Sequence, residues 1–136
     1  MNIKELLIEN SIPIRYGYHV TSSSNISSIM KNGLEPRVPE DYGAKGDVKG
    51  VYLFKTLEDV QTALEQWLGE RIEEWEEETG QEYDEVILKI DMSNIDHWAI
   101  IDTSPYEWTI TDIIPPEAIT VCREDHDDNY NMVLKC

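Results

Sequence analysis

Long apolar runs, basic residues and metal-type cysteine pairs are what this 136-residue sequence has least of. No stretch of about 18 apolar residues is present to cross a bilayer. Met1-Asn2-Ile3-Lys4-Glu5-Leu6-Leu7 runs into charge, where a signal peptide would continue into an apolar stretch ending in small residues. The expectation is a soluble, cytoplasmic protein with no membrane partner. Cys122 and Cys136 are the only cysteines, and neither has the paired spacing of a zinc site or a redox motif, so both are expected to be ordinary thiols. Lysine and arginine number 11 against 28 acidic residues, a formal net charge of -17. Such a field repels phosphate backbones and anionic membranes within a Debye length of about 8 Å, which disfavours binding to free nucleic acid. Neither G-x-G-x-x-G nor G-x-x-x-x-G-K-[ST] occurs, which removes the Rossmann and P-loop routes to a nucleotide.

What is present is enough hydrophobic content, 40%, for one core, and one domain spanning residues 1–136 is expected. The acidity has two readings. Glu70 to Glu78 reads as a solvated helix face and Glu124-Asp125-His126-Asp127-Asp128 as an exposed turn, both serving solubility. The same charge would also suit an acidic surface that competes with nucleic acid for a basic partner protein.

Along the chain, Ile3 to Ile8 suit a short opening helix, and Ile14 to Thr21 read as a strand with His19 near its end. Ser22 to Asn25 are N-cap candidates for a helix whose apolar positions are Ile26, Ile29, Met30 and Leu34, with Gly33 placed to stop it. The segment from Glu35 to Gly50 is a long Pro- and Gly-rich loop, and function is suspected there. Gly50-Val51-Tyr52-Leu53-Phe54 is the next strand. A long helix capped by Thr56 follows, its stripe running through Leu57, Val60, Leu64, Trp67, Leu68, Ile72 and Trp75 to an end near Gly80. Strands are then expected at Tyr83 to Met92, Trp98 to Ile101, Glu107 to Thr111, Ile119 to Arg123 and Tyr130 to Lys135. Helices and strands that do not alternate regularly indicate an α+β domain.

Three distant segments carry a family resemblance. Tyr18-His19-Val20-Thr21, with Ser28-Ile29-Met30-Lys31-Asn32-Gly33-Leu34 after it, resembles the opening of ADP-ribosyltransferase-like domains, where a strand bearing His-x-Thr or His-x-Ser precedes a helix ending in I-x-x-x-G-L. Gly50-Val51-Tyr52-Leu53-Phe54 is similar to the superfamily's second motif. Tyr106-Glu107-Trp108-Thr109-Ile110, followed by Ile113 to Val121, is similar to the third. The segments span most of Tyr18 to Val121 in the superfamily's order. The openings of diphtheria-toxin-like and poly-ADP-ribose-polymerase-like members, and those of DarT-like and RNA 2'-phosphotransferase-like members, are of this type.

The resemblance implies a split β-sheet core with one long and one or two short helices, and the His-Tyr-Glu class of site with NAD as substrate. By carry-over, His19 and Thr21 bind the dinucleotide, His19 hydrogen-bonding its adenine-side part or its ribose. Tyr52 stacks on nicotinamide, and Glu107 is the catalytic carboxylate on the nicotinamide ribose. The chemistry of those residue types agrees: a fixed carboxylate stabilises oxocarbenium charge that develops as the glycosidic bond breaks, and an aromatic face suits a cationic ring. Arg37 and Lys45 are cations in the intervening loop where a pyrophosphate would pass, and Tyr42 is a candidate lid.

Departures narrow the expectation. Val20 stands where many members have Gly, no serine occupies the middle-strand motif, and Pro105 replaces the acidic residue that marks arginine-modifying members. The net charge opposes an RNA or DNA acceptor. The expected activity is NAD-dependent mono-ADP-ribosylation of a protein acceptor. The alternatives are NAD glycohydrolysis, and an acidic inhibitor that blocks a basic partner, such as a phage anti-defence or host-takeover factor.

Overall fold

The computed structural model describes residues 15–37, 49–126, 128–130 and 132–136. The expected opening helix at Ile3 to Ile8, and Tyr42 and Lys45, lie outside the described residues. Eight strands are described: β1 Tyr16–Ser22, β2 Val51–Phe54, β3 Glu85–Asp91, β4 Ile100–Ser104, β5 Glu107–Ile110, β6 Ile119–Val121, β7 Arg123–His126 and β8 Met132–Lys135. The helices are α1 Ile26–Asn32, α2 Leu57–Glu65 and α3 Trp67–Thr79. β1 to β6 form one antiparallel sheet in the order β4-β5-β2-β1-β3-β6, and β7 and β8 form a separate hairpin. The α+β class expected from the sequence is observed.

Period-two alternation divides the sheet's side chains between two cores. Leu53, Leu88, Ile90 and Ile110 are fully buried on the face that packs α1 and Ile114. Phe54 and Ile87 face the other way, toward Val60, Ala63, Leu64 and Leu68 of α2 and α3. Each large aliphatic side chain so buried contributes about 1.5–3 kcal/mol of transfer free energy.

The ladders are of unequal strength. β1 pairs with β3 over its whole length, from Tyr16 opposite Asp91 to Ser22 opposite Glu85. With β2 it keeps only the pair Tyr18 opposite Phe54. The sheet therefore has a seam between β4-β5-β2 and β1-β3-β6.

Local signals explain the helix ends. The Ser22 side chain accepts from the Ser24 amide at the turn that leads into α1, and the Thr56 hydroxyl accepts from the Asp59 amide at 3.0 Å. Gly33 ends α1 at φ 80°, and a Cβ there would lie 2.2 Å from the Ile114 carbonyl oxygen, so glycine is required by both conformation and space.

Three expectations are corrected. The single long helix is two, broken at Gln66, whose amide turns back to the Ala63 carbonyl. The Leu64 carbonyl oxygen comes within 2.1 Å of where a Gly69 Cβ would stand, so the tight reversal depends on a residue with no side chain. The run expected as an exposed turn from Glu124 begins instead as a strand, β7, because it pairs with β8. The two cysteines are not free thiols: the β7–β8 register, Arg123 opposite Lys135, sets Cys122 and Cys136 at the hairpin's open end, where they form a disulfide. Among the described residues no helix is long and apolar enough to cross a membrane.

Candidate functional site

At the seam the sheet opens into a cleft of about 420 Å³. His19 and Thr21 reach it from β1, Tyr52 and Phe54 from β2, Glu107 from β5, and Arg37 from the segment after α1. Each of the five residues singled out in the sequence, His19, Thr21, Arg37, Tyr52 and Glu107, thus lines one cavity.

β1 keeps no ladder register with β2 beyond Tyr18 opposite Phe54. Past that pair the His19 ring reaches β2, its Nδ1 donating to the Tyr52 carbonyl at 3.0 Å. The bond fixes the tautomer: with the proton on Nδ1, Nε2 is left as an acceptor. Burial holds the imidazole below its ordinary value of 6.5, outweighing the opposite pull of the Tyr52 carbonyl. His19 is therefore neutral at physiological pH and presents a lone pair, which suits a hydroxyl donor and not an anion.

Thr21 is buried, with 6% of its surface exposed, and its hydroxyl oxygen accepts from Asn25 Nδ2 at 3.2 Å. Arg37 is held by paired backbone hydrogen bonds to Gly50, each 3.0 Å, which bring the loop's two ends together below the cleft residues of β2. No described residue pairs with its guanidinium.

Glu107 opens β5 and lies directly opposite Phe54, on the sheet face that also carries Tyr52. A register shift between Asp102 and Ser104, opposite Trp108 and Glu107, re-aims the strand at this point, as bulges do beside functional sites. Burial raises the Glu107 carboxyl above its ordinary 4.5. Among the described residues no cation offsets that. The nearest along the chain's register, Lys55, is bound to Asp102 at 2.5 Å and lies over the Trp108 ring at 4.2 Å. A half-buried carboxylate that no described cation offsets, beside aromatic rings, is a group that could face a positively charged ligand.

The sequence did not point to the rest of the lining. The break at Gln66 swings Trp67 and Leu68 onto the cleft, with the Trp67 ring 6.2 Å from that of Phe54. Opposite them stand Asn25, just before α1, and Ser28 and Asn32 of α1. Their spacing places these three polar residues on one helical face, a signal available in the sequence but masked there by the apolar stripe of the same helix. The lining thus combines aromatic rings, a hydrogen-bond acceptor, hydroxyls and a carboxylate, groups that could hold a flat ring, a hydroxylated ligand and a cation.

Comparison with protein-family models and with curated proteins finds no match for this sequence.

Proposed function

We propose that the protein is an NAD-dependent mono-ADP-ribosyltransferase acting on a protein acceptor, built on an ADP-ribosyltransferase-like split sheet. The observation that carries the reading is the convergence of His19, Tyr52 and Glu107, from three strands, on one cleft at the seam of the sheet. Nicotinamide stacks on Tyr52, and the His19 Nε2 accepts from a hydroxyl of the adenosine ribose. Glu107 faces the nicotinamide ribose. The bond between ribose C1' and the nicotinamide nitrogen breaks, its electron pair leaving with neutral nicotinamide. C1' takes the lone pair of the acceptor nucleophile, whose proton passes to solvent. Positive charge on the ribose peaks in the transition state, where the Glu107 carboxylate stabilises it most.

Incubating the protein with labelled NAD and a cell lysate tests this. Nicotinamide release and label on protein are expected, and Glu107→Gln should lower both by about 10²–10³-fold. Undiminished turnover in that variant removes Glu107 from the mechanism. Release without protein label assigns water as the acceptor and makes the activity NAD glycohydrolysis.

One observation favours a second reading, an acidic inhibitor of a basic partner. α3 has no buried residue and carries Glu70, Glu73, Glu74, Glu76, Glu77 and Glu78 against Arg71 alone. That reading expects partner binding which weakens with salt and ignores Glu107→Gln.

A further inference from the structure

None of the residues of α3 is buried, and its two tryptophans, Trp67 and Trp75, each keep 37% of their surface exposed. Trp67, Arg71 and Trp75 stand four positions apart and make one row on the helix surface. Glu70, Glu74 and Glu78, each three positions beyond a member of that row, make the row beside it. The aromatic row starts in the cleft, which Trp67 lines. What such a row takes is visible within the chain: the Arg71 guanidinium lies over the Trp67 ring at 5.6 Å, with Glu70 and Glu74 in the adjoining row. Trp75 repeats the setting between Glu74 and Glu78. Its ring meets the edge of Tyr83 at 5.5 Å, and among the described residues no cation lies over it. Glu76, on another side of the helix, is taken up by the Tyr83 amide at 3.1 Å, whereas neither Glu74 nor Glu78 has an ion-pair partner among the described residues.

Resting on the transferase reading above, we propose that Trp75, Glu74 and Glu78 dock a lysine or arginine of the protein acceptor, and that α3 guides the segment carrying it to the cleft at Trp67. An aromatic face beside two carboxylates selects a cation, so the occupant is a basic segment. From Trp75 to Trp67 the helix rises about 12 Å. An extended segment covers that in about four residues at roughly 3.3 Å each. The side chain that receives ADP-ribose therefore stands about four or five positions from the docked cation.

The test compares wild type with Trp75→Ala, with the double variant Glu74→Gln, Glu78→Gln, and with Trp98→Ala, a control whose ring is exposed elsewhere. With NAD alone, nicotinamide release to water should be equal in all four proteins. With labelled NAD and a cell lysate, protein label should fall about three- to fivefold in both α3 variants and stay unchanged in Trp98→Ala. The synthetic peptide Gly-Ser-Arg-Lys-Arg-Ser-Gly should bind wild type, weaken by the same factor in the α3 variants, and compete with labelling. Mapped modification sites should have lysine or arginine about four or five positions away. If Trp75→Ala fails to fold, the double variant, altering only exposed side chains, supplies the same comparison. Label and peptide binding that ignore both α3 variants overturn the proposal and leave the transferase reading standing. Absence of NAD consumption by wild type overturns the transferase reading and the acceptor role with it.

Discussion

β1 has two neighbours and treats them differently. Toward β3 every residue from Tyr16 to Ser22 is paired, and the side chains between them, Leu88 and Ile90, are fully buried. Toward β2 one pair is kept and the strands part, with an imidazole standing in for the missing ladder and a cleft beyond it. The difference teaches where stability and chemistry lie in this protein. The closed ladder supplies a rigid wall, and where the other ladder ends the cleft has room to form.

The largest effect should come from the closed side. Leu88, opposite His19 in the register, has no exposed surface, so Leu88→Ala should cost about 2–5 kcal/mol in urea unfolding. Ligand affinity measured on the folded protein should change little. A pocket lost together with this core residue, at conditions where the chain is still folded, would mean that the two sides are not separable.

A smaller effect is expected at the seam. His19→Ala removes the ring that donates to the Tyr52 carbonyl, a cost of about 1–3 kcal/mol. His19→Asn should recover most of that, because the asparagine amide can stand near Nδ1, whereas His19→Gln should not. Equal unfolding midpoints for all three variants would show that the seam is held by something other than this bond.

The smallest effect is a pH slope, and its sign follows from the direction of each shift. The folded His19 titrates below 6.5, so between its folded and unfolded values the unfolded chain binds more protons. Stability from this group is complete above 6.5 and is lost as pH falls through that window. Glu107 has the opposite sign: its folded pKa lies above 4.5, so acidification toward that value favours the folded state. Chemical unfolding from about pH 7.5 to about pH 5 should show a stability decline in wild type that is shallower in His19→Asn. Identical slopes would remove His19 as its source.

Much of this arrangement was legible in the chain because the signals were local. The strand through Tyr18 and His19, the glycine stop at Gly33, the Thr56 cap and the Tyr52 strand all depend on residues within a few positions of one another. The five site residues share a cleft, although their roles rest on resemblance. What was not legible depends on distant contacts. The Gln66 break is invisible to a stripe that continues in phase through Trp67, and only the Leu64 carbonyl against Gly69 reveals it. The Cys122–Cys136 bond required knowing that an acid-rich segment would pair as β7. Asn25 looked like a cap because composition cannot say which neighbour a side-chain amide will choose.

The interruption at Gln66 also governs where the acidic row of α3 points. Each residue added to or removed from a helix rotates all that follows by about 100°. The row from Glu70 to Glu78 restarts from that one connector, so deleting it would swing the densest negative charge in the chain by more than a quarter turn while altering no acidic residue. A single unremarkable glutamine therefore sets the compass bearing of that acidic row.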